Sequence, residues 1–352
     1  MSLALFSSFL KAAFAVVGEN TNAHTPTQQK IITDRDRYLP FRQLGPSKQV
    51  ILGDPNSPFS PSRLKTRGGL FDALIFRLIT QASPILVQEK QVYFGSPSKF
   101  KDATEGKEEK DYCNPMATGQ HSRFRNITHI SDYWEHTNQW EAHAADPNMT
   151  LESLLLWLTG REGKKTRFYG MGNLVGWLLA SDYAYAGLIQ MPEPSEVGEI
   201  IFKINAGGKS GLALLGFKVN TQEACAEAMT SVCDAVHVLL TPKEINEMGI
   251  NSITLEHALC KLSRLKKWIS EVGWHLFVTH AMPNLTSSLF KSRIPHLGLH
   301  IDVYGSGTTY VRGGGRLQHI VFSLVNLTMN PTIKICVPVI KTGIAIFKLT
   351  PH

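Results

Sequence analysis

The stretch TQEACAEAMTSVCDAVHVLL, residues 221–240, decides how this chain reads. Ala224, Ala228, Val232 and Val236 recur every four residues, with Glu223, Glu227 and Asp234 between them. Residues four apart stack on one helix face, so the pattern predicts an amphipathic helix with an apolar stripe. Immediately after it, Thr241-Pro242 is an N-cap followed by proline at the first helical position, which starts another helix. Thr254 opens a further one through Leu255, Leu259, Leu262 and Leu265 to Ile269.

The same signals continue upstream. Ser195-Glu-Val-Gly-Glu199 comes after two prolines and places acids in a first helical turn, where the helix dipole favours them. Phe168 to Ala186 reads as an apolar helix, and Gly172, Gly176, Ala180 and Ala184 line one face where another backbone can approach. Thr150 caps Leu151–Leu158, and Gly160 ends it. Five or six helices joined by short loops predict a mainly α protein with a helical bundle at about 129–272. Phe168–Ile189 is the most apolar stretch, but Asn173, Ser181, Asp182 and several glycines interrupt it. It reads as a core helix, and no membrane span is expected.

Charge changes where the periodicity changes. Residues 129–260 hold 8 Lys and Arg against 16 Asp and Glu. Residues 1–128 hold 17 against 11, and residues 261–352 hold 11 against 2, giving +7 overall. Prolines at 26, 40, 46, 55, 58 and 61 make residues 1–128 read as an irregular basic arm. That arm carries one short buried helix at about 68–80, a candidate strand at Pro84–Phe94 and a charged loop at 95–120. Residues 273–352 read as a basic, β-leaning tail, poorly ordered or outside the compact domain, with candidate strands at Leu297–Tyr304 and Lys334–Val339.

The five cysteines are odd in number, widely spaced and form no CxxC. They read as reduced thiols, which suits an intracellular, soluble protein. Met1–Leu10 resembles a signal-peptide core, but no positive charge precedes it and Lys11 cuts the apolar run.

Four groups of residues could carry chemistry. His129, His136 and His143 recur every seven residues beside Trp140, so a ligand pocket is sought there first. Cys233 and His237 sit four apart on one expected helix, and His257 and Cys260 three apart on another. Two facing helices could bring these four together as a weak metal candidate, although the spacing is no recognised zinc pattern and no metal or other cofactor is expected. Lys266, Lys267, Arg312 and Arg316, with Arg63, Lys65 and Arg67, are candidates for nucleic-acid backbone contact. Gly207-Gly208-Lys209-Ser210 resembles the end of a phosphate loop, but Lys203 stands where that loop needs glycine. Gly170-Met-Gly172 and Gly176 resemble a dinucleotide fingerprint, yet a charged loop and not a strand precedes them.

The reading this supports is a non-catalytic helical interaction or scaffold protein with an unidentified protein partner. A nucleic-acid-associated protein using the basic flanks is the alternative. An enzyme with its pocket near His129–His143 comes third.

Overall fold

Prolines begin helices in this protein more often than they interrupt them. The computed structural model describes residues 2–17, 25–114, 127–162, 165–272, 300–304, 308–313 and 316–320. The first two of these stretches hold α1 (Leu3–Phe14), α2 (Pro26–Thr33), α3 (Arg35–Tyr38), α4 (Pro46–Gly53) and α5 (Pro61–Leu64). They continue through α6 (Arg67–Ile75), α7 (Pro84–Val87), α8 (Pro97–Thr104) and α9 (Glu109–Tyr112). Proline occupies the first turn of α2, α4, α5, α7 and α8. There its missing N–H costs nothing and its fixed φ suits the helix.

The described residues up to 114 are therefore more regular than their proline density suggests. The expected strand at Pro84–Phe94 is instead α7 leading into extended chain. Pro84 starts a helical turn, and the extended residues pair with no strand among the described residues. The buried helix expected at 68–80 is α6, which runs directly into a π-helical turn at Phe76–Thr80. The N-terminal apolar run is a core helix: Phe6, Phe9, Leu10 and Ala13 of α1 are fully buried, while Lys11 reaches Glu244 at 2.8 Å on the outside.

The second half holds α10 (Ile130–His136), α11 (Trp140–Ala144), α12 (Leu151–Thr159), α13 (Asn173–Tyr185) and α14 (Pro194–Ile204). It continues through α15 (Gly207–Leu214), α16 (Gln222–Leu239), α17 (Pro242–Met248) and α18 (Ser252–Val272). Thr150 caps α12 and Thr241 caps α17, both in the reciprocal capping-box arrangement. The helix read from Phe168 starts only at Asn173, because Gly170 takes φ +81° and Gly172 is the extended N-cap. A two-stranded hairpin, β1 (Arg161–Glu162) with β2 (Lys165–Thr166), separates α12 from α13.

Two helix pairs are packed backbone to backbone. A Cβ on Gly198 of α14 would lie 2.4 Å from the Cys225 carbonyl oxygen of α16. One on Gly211 of α15 would lie 2.4 Å from the Leu259 carbonyl oxygen of α18. Gly207, at the start of α15, likewise faces Cys260. The Gly207–Ser210 segment is thus the first turn of a closely packed helix, preceded by helix α14 and not by a strand.

The protein is mainly α, and the charge break near residue 128 is not a break in the core. Buried side chains from Phe6 to Cys113 and from Ile130 to Leu265 form one continuous hydrophobic cluster. α1 packs on α16, α6 on α10 and α11, and α3 on α18. The N-terminal helices thus complete the core that the acidic helices begin. In the tail, β3 (His300–Tyr304), β4 (Thr308–Gly313) and β5 (Arg316–Ile320) form an antiparallel sheet in the order β3-β4-β5. The candidate strand Lys334–Val339 lies outside the described residues. Among those residues no single helix is long and apolar enough to cross a membrane.

Candidate functional site

The least expected feature is a carboxylate enclosed by three cations. Asp182, on α13, is fully buried. Arg77 of the π-helical turn donates to it through Nε at 2.7 Å and Nη2 at 2.5 Å. Lys48 of α4 donates at 2.9 Å, and Arg42, in the 3-10 turn Arg42–Leu44, at 3.1 Å. Arg42 also donates to the Leu178 carbonyl, and Lys48 Nζ stands 3.4 Å above the Phe59 ring. Burial alone would raise the Asp182 carboxyl; Arg77, Lys48 and Arg42 overcome it and hold it at about 2. The same burial, with Arg77 and Arg42 adding repulsion, brings Lys48 down to about 7 despite Asp182. Burial and Arg42 lower Arg77 to about 10.

One carboxylate cannot neutralise three cations, and the surplus opens onto a cavity of about 70 Å³. By the space a water requires, that admits on the order of five waters, or one compact ion. Its far wall is α18, which contributes Glu256, His257, Cys260, Lys261 and Arg264, while α3 supplies Arg35 and Asp36. Lys261 is only 3% exposed, and its ammonium donates to the Asp36 backbone carbonyl at 2.8 Å. The Asp36 carboxylate is turned away to Ser47, whose hydroxyl and N–H both donate to it. Among the described residues Lys261 therefore forms no direct ion pair, although Asp36 and Asp34 stand near enough to favour its charge. Burial, aided by Arg264, lowers it to about 7.

Arg42 is 7% exposed, lines the same cavity, and its Nε–H has no acceptor among the described residues. Glu256 accepts from the Trp177 indole N–H at 3.1 Å, and burial raises its carboxyl toward the neutral form. His257 is held well below its ordinary value by burial and by Lys261. Six lining side chains are Lys or Arg and only two are carboxylates. Perturbed titratable groups converging on a small cavity are the physical mark of a candidate binding site.

Of the residues singled out in the sequence, His257 and Cys260 line this cavity and the rest do not. The 129–143 segment is two short helices split at Thr137–Gln139, and each histidine packs against an aromatic ring from farther along the chain. His129 stacks on Tyr169 at 3.9 Å, His136 meets Phe168 edge-on, and His143 stacks on Trp157 at 5.4 Å. Trp140 is fully buried and donates to the Leu64 carbonyl at 2.7 Å. All three histidines thus lie against aromatic rings. Burial lowers His143, whose Nε2 has no hydrogen-bond partner among the described residues.

Of the metal candidates, Cys233 and His237 lie on α16, where His237 Nδ1 contacts the Cys233 carbonyl at 2.8 Å. His257 and Cys260 line the cationic cavity on α18. No group of three or more His, Cys, Asp or Glu side chains suited to a metal forms among the described residues. Of the nucleic-acid candidates, Lys65 and Lys266 are exposed. Arg63 instead lies 4.3 Å from the Tyr93 ring, and Arg67 donates to the Trp134 carbonyl and covers its ring. Lys267 continues the backbone of α18, and Arg312 and Arg316 lie on paired strands.

No protein-family model, curated protein or solved structure matches this chain. The site is therefore read from its own chemistry. Sequence reasoning missed it because Arg42, Lys48, Arg77, Asp182 and Lys261 are scattered over more than two hundred positions with no motif spacing. One signal was visible: Asp182, a charge in the middle of the most apolar helix, requires a buried partner.

Proposed function

We propose that this is a non-catalytic helical binding protein whose bound partner is a compact anion, held in the cavity between α18 and the Asp182 cluster. The observation that carries the reading is Lys261, a buried ammonium with a neutral carbonyl as its acceptor and, among the described residues, no carboxylate in direct ion-pair contact. A buried cation without a counter-ion is costly. An anion in the cavity would meet Lys261, the Nε–H of Arg42 and the surplus charge around Asp182 together. Guanidinium and ammonium donors suit oxyanions through charge-assisted hydrogen bonds.

The cavity is too small for an extended polyanion. The nucleic-acid reading would have to rest on the exposed lysines and on the β3–β5 strands instead. The protein-scaffold reading can hold alongside anion binding.

Thermal unfolding of the full chain at fixed pH and ionic strength tests the proposal. Phosphate should raise Tm by several degrees over chloride; a ligand at a hundred times its Kd adds about 2.7 kcal/mol. Lys261→Met should abolish the difference while leaving the protein folded. Equal Tm in phosphate and chloride would sink the reading.

A further inference from the structure

We infer that the ligand is a compact tetrahedral dianion, a phosphate or the phosphoryl group of a small monoester, with Lys261 and Arg42 as its principal anchors. This rests on the anion-binding reading above and specifies the charge and shape the cavity selects.

Charge is the first selector. Arg42, Lys48 and Arg77 share the single carboxylate of Asp182, which leaves an excess of two. Lys261, when protonated, is offset by the nearby Asp36, which keeps its charge while accepting from Ser47, so the excess stays at two. At the rim Arg264 is exposed and bonds the Arg37 carbonyl at 3.4 Å. Of the two lining carboxylates, Asp36 is bonded by Ser47 and Glu256 is engaged by Trp177. A monoanion such as nitrate or acetate would leave half of this excess unmatched. A dianion removes two charges from it.

Shape points the same way. The donors that line the cavity are held on four separate elements: the 3-10 turn, α4, the π-helical turn and α18. A planar carboxylate or nitrate presents its oxygens in one plane, whereas a tetrahedral group directs them outward on all sides. A cavity of about 70 Å³ holds the phosphoryl group alone, so the remainder of an ester would leave past Arg35 and Arg264.

The site should also respond to protons. Burial leaves Lys48 and Lys261 only partly charged near neutrality. Lys261 is faced by Asp34, Asp36 and Arg35 from α3 and its cap, and by His257, Cys260 and Arg264 from its own helix. Lys48 is faced by Asp182 from α13, Arg77 from the π-helical turn, and Arg42. An incoming dianion favours the ammonium form of both, so binding draws protons from solution.

Isothermal titration calorimetry of the full chain at pH 7.5, in two buffers of different ionisation heat and at matched ionic strength, is the test. The probes are sulfate, inorganic phosphate, glycerol 3-phosphate, nitrate and acetate. Sulfate carries no titrating proton in this range, so any uptake it causes belongs to the protein. The expected result is that sulfate and phosphate bind at least about tenfold more tightly than nitrate or acetate. Sulfate binding should also take up a measurable fraction of a proton, and Lys261→Met should reduce both effects. Phosphate binding without glycerol 3-phosphate binding identifies the free ion, and binding of both identifies the ester as admissible; each supports the inference. Monoanions binding as tightly as sulfate, or sulfate binding without proton uptake, would overturn it and leave anion binding standing. No binding by any probe would overturn anion binding itself.

Discussion

The His129–His143 cluster and the Asp182 cavity are both polar groups set into a hydrophobic core, yet they differ in what surrounds them. In the first, each histidine has a ring against it and Trp140 has its carbonyl acceptor. In the second, three cations share one carboxylate around a cavity, and a fourth makes no direct ion pair among the described residues. Residues close in sequence formed an aromatic packing cluster in which His143 Nε2 is the one buried polar atom without a partner among the described residues; residues far apart formed the site with excess charge. A regular spacing of polar residues is therefore weaker evidence of a site than a deficit of partners inside the fold.

The largest effect that could break this comparison is loss of Asp182. Asp182→Ala strands three buried cations, and losing one partner of a buried pair costs about 3–5 kcal/mol, so chemical denaturation should show a loss at the top of that range or no folded protein. A change under about 1 kcal/mol would mean that the cations are not buried as described.

Trp140→Ala should cost about 3–5 kcal/mol through the cavity it leaves, with no change in anion affinity. Lost anion affinity in a variant that still folds would join the two clusters into one site.

Smaller, and specific to the cavity, is a pH dependence. Lys48 and Lys261 have folded values of about 7, below the ordinary lysine value, so the unfolded chain binds more protons above pH 7. Asp72, raised by burial to about 7, acts in the opposite sense near pH 7 but is outweighed by the two lysines, so stability of the ligand-free protein should rise between pH 7 and about 8.5. Above that, Cys233, pushed by burial up to about 12, and the buried tyrosines act in the opposite sense, because the unfolded chain then loses their protons first. Lys261→Met should remove part of the rise and be neutral or stabilising when no ligand is present. A flat profile over about pH 7–8.5 would show that neither lysine is perturbed.

The smallest expected effect is at His136. This half-buried residue packs edge-on against Phe168, so His136→Ala should change stability by about 1 kcal/mol or less and leave anion binding untouched. Chemical denaturation checks the first and calorimetry with phosphate the second.

The helices were legible where apolar spacing and caps agreed. Thr150, Thr221 and Thr241 cap α12, α16 and α17 through side-chain hydrogen bonds, and such local signals survive in one dimension. The short helices of the N-terminal region were less legible. Five of them begin on prolines that also mark loops, and α3, α5, α7 and α9 are single turns of four residues. Helices that short are held by packing and not by their own propensity.

By itself, then, the sequence determined that the protein is mainly α and where the longer helices of its second half lie, because period and capping act over a few neighbouring residues. Only the tertiary structure decided that residues 6–113 share one core with residues 130–265. It alone also placed Arg42, Lys48 and Arg77 around Asp182, with Lys261 across a cavity from them. The physical reason is that charge balance inside a core is a property of distance in space, to which spacing along the chain is blind.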